Sequence, residues 1–139
     1  MPTDDKRVIV KTPIDAVSQF RAALPKEQRE ERVFVLPLDA HGKVLAKPIL
    51  VSVGHQDGTA AIDAGTIFRE ALKAGAEEII VAHNHPSGDP TPSKADLQLT
   101  TTLQSAARLL GLKFLDHLIL GSPDCEEGRG YVSVVESLG

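Results

Sequence analysis

The chain has 139 residues, enough for a single domain around one core. Its formal net charge of −4 and 42% hydrophobic content are ordinary for a soluble globular protein, and Lys6, Arg7, Arg21 and Arg29 are scattered rather than stacked into the face a polyanion needs. One cysteine excludes an internal disulfide, no basic-then-apolar leader opens the chain, and no apolar run approaches the roughly 20 residues that span a bilayer, so the expectation is a soluble cytoplasmic protein that engages neither nucleic acid nor membrane.

Residues 1–11 read as a polar lead-in whose short apolar run, Val8-Ile9-Val10, can pair as a strand. Thr12 fits an N-cap, with Pro13 at the first helical position and Asp15 in the first turn, and a helix to about Leu24 would carry Ile14, Val17, Phe20 and Leu24 on one face before Pro25 ends it. After a charged connector, Val33 to Leu38 reads as a strand, residues 39–43 as its turn and Val44 to Val53 as the second arm of a hairpin. Pro37 and Pro48 cannot donate to a ladder, so each requires an edge or a bulge. The polar turn from Gly54 to Ala60 holds His55 and Asp57; nothing in their spacing recommends them as ligands. Asp63 to Ala74 is expected to be helical, with Ala64, Ile67, Phe68, Ala71 and Leu72 as a core stripe and Gly75 closing it.

Glu78 to Ala82 reads as a buried strand that delivers His83 at its carboxyl end. A loop rich in Pro and Gly follows, and a helix from Ser93 to Leu110 would face the sheet through Leu99, Leu103, Ala106, Ala107 and Leu110 before Gly111 ends it. The strand Leu112 to Leu120 completes a β-α-β unit, with a right-handed crossover if the strands are parallel. Within it Asp116 and His117 are adjacent, so one must face inward and find a partner; either an outer bond to a ligand histidine or backbone groups would serve. Residues 122–130 form a loop holding Cys125, read as an exposed thiol and not a ligand, and Tyr131 to Val135 reads as a last strand.

Chemistry concentrates between His83 and Asp96. Residues two apart on an extended segment share a face, so His83 and His85 can turn both imidazoles to one ion, and Asp96 in the first turn of the following helix can lean back toward them. Two imidazoles and a carboxylate leave a fourth position for water, as a catalytic zinc site requires. N/O donors would accept other divalent ions as well. Ser93 and Asp96 fit equally an N-cap serine with an acidic third helical residue, which needs no metal.

His83-x-His85, seven residues, Ser93, two residues and Asp96 resemble the signature of the JAMM (MPN) metalloprotease superfamily. The fuller string from His83 to Ser93, with Leu115-Asp116-His117-Leu118-Ile119-Leu120-Gly121 and Tyr131-Val132-Ser133 downstream, is similar to its RadC-type JAB branch over roughly residues 12–136. The resemblance implies an α/β fold, an MPN/JAB-like mixed β-sheet flanked by helices, as one domain over residues 12–139. It implies zinc on His83, His85 and Asp96, with Glu31 before the first strand as general base and Glu30 as the alternative that a one-residue slip would exchange for it. In that scheme the ion brings a water's pKa toward neutrality, Glu31 accepts its proton and passes it to the leaving amine, and the Ser93 hydroxyl helps hold the oxyanion. The substrate class is a peptide or isopeptide, such as another protein's tail.

The RadC branch takes its name from DNA repair, and many of its proteins carry an N-terminal helical, DNA-associated region that this sequence does not show, so no direct nucleic-acid role is expected. Two other readings stand beside the hydrolase: a metal-binding but inactive JAB scaffold, favoured if Glu31 points away from the ion, and an accessory factor in DNA repair, which would need a basic face. A zinc deaminase would need H-x-E with P-C-x-x-C, and the sequence has neither.

Overall fold

A computed structural model describes residues 7–54 and 63–138. The chain runs α1 (Pro13–Ala23), β1 (Glu31–Leu38), β2 (Ile49–Gly54), α2 (Ala64–Lys73), β3 (Glu78–Asn84), α3 (Lys94–Leu110), β4 (Lys113–Leu120), a 3-10 turn at Glu126–Gly128, β5 (Tyr131–Ser133) and α4 (Val134–Ser137). The strands form one mixed sheet in the order β2-β1-β3-β4-β5, flanked by helices as a single small α/β domain. β1 is antiparallel to β2 and β3, β3 and β4 are parallel across the α3 crossover, and β5 returns antiparallel.

β1 and β3 are central and buried on both faces, which is why their sequences are nearly continuous apolar runs rather than alternating ones. Alternation still sorts their side chains. Phe34, Leu36, Leu38, Ile80 and Ala82 pack with Ala16, Val17 and Phe20 of α1. Val33, Val35, Ile79 and Val81 pack on the opposite face with Ile67, Phe68 and Ala71 of α2 and Leu103 and Ala107 of α3. The face that carries α2 and α3 is the one that carries the polar cluster described below.

Several boundaries differ from the sequence reading. β1 starts at Glu31, two residues before its apolar run, because β2 pairs with it from Glu31↔Gly54 onward. The return arm is broken: Val44 makes only an isolated bridge to Leu38, and the ladder resumes at Ile49, after Pro48. Pro37 sits inside β1 without disrupting it. Its carbonyl accepts from Leu45 N at 2.9 Å, so its ring nitrogen faces the same way, past the last β1–β2 pair at Val35↔Ile49, and the ladder to β3 stays intact. The bulge falls instead between Val33 and Phe34, on the β2 side.

Lead-in residue Ile9 bridges Lys43. Val134 and Val135 are helical rather than extended, because the Ser133 hydroxyl accepts from Glu136 N and caps α4. Ile14, Leu72 and Leu110, assigned above to core stripes, are exposed; each lies in an end turn of its helix, and the buried stripes are narrower than the apolar ones. His55 and Asp57 lie outside the described residues.

Candidate metal centre

The β1–β3 register sets Val33 opposite His83, at the carboxyl end of β3 and near the amino end of β1. Alternation then turns Glu31, two residues before Val33, to the same face as His83. Glu30 and Arg32 point the other way, where they lie 3.8 Å apart as an ion pair. From across the sheet face, the first turn of α3 brings Asp96. Its buried stripe of Asp96, Thr100, Leu103 and Ala107 is the i, i+4, i+7, i+11 row of a helix lying on the sheet, so the same packing that buries Leu103 aims Asp96.

Four side chains converge. His83 Nε2 lies 3.1 Å from His85 Nε2, 3.2 Å from Asp96 Oδ1 and 3.4 Å from Glu31 Oε1, and His85 Nε2 lies 3.3 Å from Asp96 Oδ2. The four donor atoms fall within 4.8 Å of one another. A tetrahedral ion with bonds of about 2.0–2.1 Å holds its donors about 3.3 Å apart, so the 3.1, 3.2 and 3.3 Å spacings among His83, His85 and Asp96 match the edges of a cage that fits one cation, with Glu31 beside it. The cage is closed on one side and open on the other: the His83 side chain is fully buried, whereas His85 and Glu31 are 19% and 16% exposed.

Hydrogen bonds assign the ring protons. His85 Nδ1 lies 2.9 Å from the Asp89 carbonyl oxygen, which can only accept, so Nδ1 carries a proton and Nε2 faces the cluster. Thr100 gives its one hydroxyl proton to the Asp96 carbonyl at 3.0 Å, and its oxygen therefore accepts from His117 Nδ1 at 2.7 Å. That leaves His117 Nε2 as an acceptor, 2.8 Å from His83 Nδ1. His83 thus holds its proton on Nδ1 and presents the Nε2 lone pair to the cluster. Lone pairs of two imidazoles and a carboxylate facing one another repel unless a positive charge lies among them.

The ionisation of the groups follows from the same contacts. Burial pushes Asp96 up, but the His83 and His85 imidazoles against it and the Ser93 N–H outweigh burial and hold the carboxyl far below the usual range. Burial pulls His85 down, yet Asp96, the Asp89 carbonyl and Glu31 around it favour the protonated ring and raise it above its ordinary value. His117 is held well below, by burial first and by His83 second, which keeps it neutral as the proton chain requires.

The remaining predicted residues are placed as follows. Ser93 is the N-cap of α3: its Oγ accepts from Asp96 N at 3.1 Å, and its own N–H donates to Asp96 Oδ2 at 2.8 Å. The capping box and the cage share one aspartate, so the two readings of Ser93-x-x-Asp96 hold together. Ser93 is exposed, and its hydroxyl proton is left for another acceptor. Asp116 does not approach a histidine of the cage. It faces the α1 side, accepts from Ser133 Oγ at 2.8 Å and from the His117 N–H at 2.7 Å, and burial raises its pKa. Cys125 is half-buried rather than exposed and stands outside the cluster.

The sequence reading gave no role to three residues. Thr100 stood one turn beyond Asp96 on the same helical face, a spacing that could have flagged it. Asn84 lies between the two histidines. Gly121 backs the loop after His85: Ser122 N donates to the Gly88 carbonyl at 2.9 Å, and a Cβ on Gly121 would run into that carbonyl, the Pro90 ring and the Cys125 sulfur.

The sequence matches the RadC-like JAB domain over residues 10–138. Among curated proteins it is similar to UPF0758 proteins of Carboxydothermus hydrogenoformans, 40% identical over 86% of this chain and 51% of the relative. The corresponding figures for Trichormus variabilis are 44%, 84% and 48%, and for Acaryochloris marina 47%, 81% and 47%. The chain therefore spans about half the length of the curated relatives it matches, and their names state no activity. With the mixed sheet, the paired histidines at the end of β3 and the aspartate in the first turn of α3, this match shows that the chain belongs to the RadC-like JAB domain family.

Proposed function

We infer that this domain is a JAMM-type zinc metallohydrolase that cleaves a peptide or isopeptide bond. The observation that carries the reading is the convergence of Glu31, His83, His85 and Asp96 within 4.8 Å around a space closed on the His83 side and open on the other. Two imidazoles and a carboxylate are the donor set of catalytic zinc, and His83, His85 and Asp96 would hold the ion. Zinc bound there would supply an acidified water and a Lewis acid for a carbonyl oxygen.

The chain's own groups do the rest. Glu31, with Oε1 3.4 Å from His83 Nε2 at the open side, would be the base, accepting a proton on its carboxylate and returning it to the leaving amine. Ser93, whose oxygen is occupied by the Asp96 N–H, can direct its hydroxyl proton to an oxyanion. A Glu31 pointing away from the cage would favour the inactive-scaffold reading, and Glu31 points in. No described helix is long and apolar enough to cross a membrane.

The test is elemental analysis of freshly purified protein, wild type beside His85→Ala and Asp96→Ala, followed by peptide-cleavage screening of Glu31→Gln and Glu30→Gln. Zinc at about one per chain, lost in both ligand variants, with cleavage lost in Glu31→Gln and kept in Glu30→Gln, is the expected result. Wild-type protein that takes up no metal after repletion sinks the hydrolase.

A further inference from the structure

Glu31 stands at the first residue of a strand, where a chain frays most readily, and its neighbour Glu30 carries the same functional group. Something must hold the frame. The β1–β3 register runs to Val33↔His83 and stops. Past that point the β3 backbone is drawn toward β4, with the His85 N–H donating to the Leu120 carbonyl at 2.9 Å. The Arg32 and Glu30 peptide groups would be left without a ladder partner on that side.

The Asn84 side chain supplies it. Fully buried, it accepts from the Arg32 N–H through Oδ1 at 2.8 Å and donates through Nδ2 to the Glu30 carbonyl at 3.1 Å and to Gln28 Oε1 at 3.2 Å. Only this orientation of the amide satisfies every bond, because an N–H needs the oxygen and two acceptors need the NH2. The Glu30 carbonyl and the Arg32 N–H belong to the two peptide groups on either side of Glu31. One side-chain amide therefore grips both flanks of one residue, standing in for the peptide unit that β3 no longer offers.

We propose that Asn84 is a positioning residue for Glu31: its carboxamide locks the β1 frame so that Glu31 faces the cage and Glu30 faces Arg32 on the opposite side. This rests on Glu31 being the proton acceptor. The grip discriminates because it reads donor and acceptor in order. A slip by one residue would bring Glu30 to the cage side and Glu31 away from it. Asn84 also lies between the two histidines in sequence, so the segment that presents the ligands sets the distance to the base.

The experiment uses protein labelled with 13C at the glutamate carboxyls, the Glu31 signal being identified by its loss in Glu31→Gln. In wild type, zinc(II) should move that signal apart from the other glutamates, and the Arg32 amide should exchange slowly. Asn84→Ala should abolish the zinc-induced movement and speed Arg32 exchange by about tenfold or more, while zinc still binds through the unchanged His83, His85 and Asp96. Asn84→Asp keeps the acceptor and loses the donor, so Arg32 should stay protected while the Glu31 signal still loses its response; if Asn84→Ala fails to fold, the response of Glu31 in Asn84→Asp decides. A Glu31 signal that responds to zinc in the variants as in wild type overturns the proposal, and so does Arg32 exchange unchanged in a folded Asn84→Ala, with or without metal. A wild-type protein that binds no zinc, or binds it without moving Glu31, refutes the hydrolase reading instead.

Discussion

His117 Nε2 stands 2.8 Å from His83 Nδ1, on the far side of that ring from the cage, and both rings are fully buried. A residue that touches no donor atom of the cage thus decides which nitrogen of His83 faces it. His117→Phe keeps the ring volume and removes the acceptor, leaving the His83 Nδ1–H buried and unpaired. Zinc affinity should fall about 10–100-fold, the usual cost of losing an outer partner of a metal-bound histidine. Thr100→Val should act in the same direction, because it removes the acceptor for His117 Nδ1, and Thr100→Ser should restore it. Competition against a chromophoric chelator measures all three. His117→Phe binding zinc as tightly as wild type would show that His83 needs no such partner.

The pH dependence of stability should reverse with metal. His85 has a raised pKa, so in metal-free protein its contribution is complete below the ordinary 6.5 and is lost as pH rises through the folded value. His117 is lowered, so unfolding takes up a proton there and stability falls as pH drops below 6.5. Asp96, also lowered, adds a loss only in the acid range, as pH falls from 3.8 toward its folded value. Metal-free protein should therefore be most stable near about pH 6.5, with urea midpoints declining on both sides. Zinc must displace the His85 proton, so with saturating zinc stability should keep rising above that pH. Denaturation series with zinc and with chelator check the two slopes, and parallel curves would contradict the assignment of His85 to the cage.

The sequence disclosed the parts of this domain that follow from period and punctuation. The α3 boundaries were legible because Ser93 and Gly111 mark them chemically, and β3 because a β-branched run leads directly to His83. The cage was legible because His83, His85 and Asp96 lie within one strand-loop-helix passage. Glu31 was not readable from local pattern: it comes from a strand distant in sequence, and only the β1–β3 register decides whether it or Glu30 faces the histidines. The orientation of His117 had the same difficulty, since alternation says that one of two neighbours points inward without saying which. The break between Val44 and Ile49 depends on how Leu45 closes onto Pro37, a contact that no propensity encodes.

Gly121 and Gly111 should separate steric from conformational cost. Gly111 ends α3 at φ 73 with nothing within 4 Å of a Cβ, so Gly111→Ala should cost about 1–2 kcal/mol through backbone conformation alone and leave zinc binding intact. Gly121→Ala drives a methyl into the Gly88 carbonyl and should cost about 1–3 kcal/mol as overpacking. Because that carbonyl adjoins Asp89, whose own carbonyl orients His85, Gly121→Ala should also weaken zinc binding. Urea unfolding and chelator competition distinguish them; equal zinc affinities in the two variants would show that the loop after His85 tolerates displacement.

Ser93 carries two roles that one substitution cannot part and two can. As an N-cap its oxygen accepts from the Asp96 N–H, while the Ser93 N–H that holds Asp96 Oδ2 belongs to the backbone and survives any side-chain change. Zinc affinity should therefore be nearly unaffected in Ser93→Ala and Ser93→Gly alike. Stability should differ, because alanine at an N-cap costs about 1 kcal/mol and glycine only a few tenths. If the hydroxyl also donates to the oxyanion, both variants lack it equally, and turnover of a cleavable peptide should fall in both by about 10²–10³-fold. Thermal unfolding beside kcat separates the roles. Equal losses of kcat with unequal stabilities would assign the hydroxyl to the reaction, and losses of kcat that track stability would confine Ser93 to capping the helix that aims Asp96.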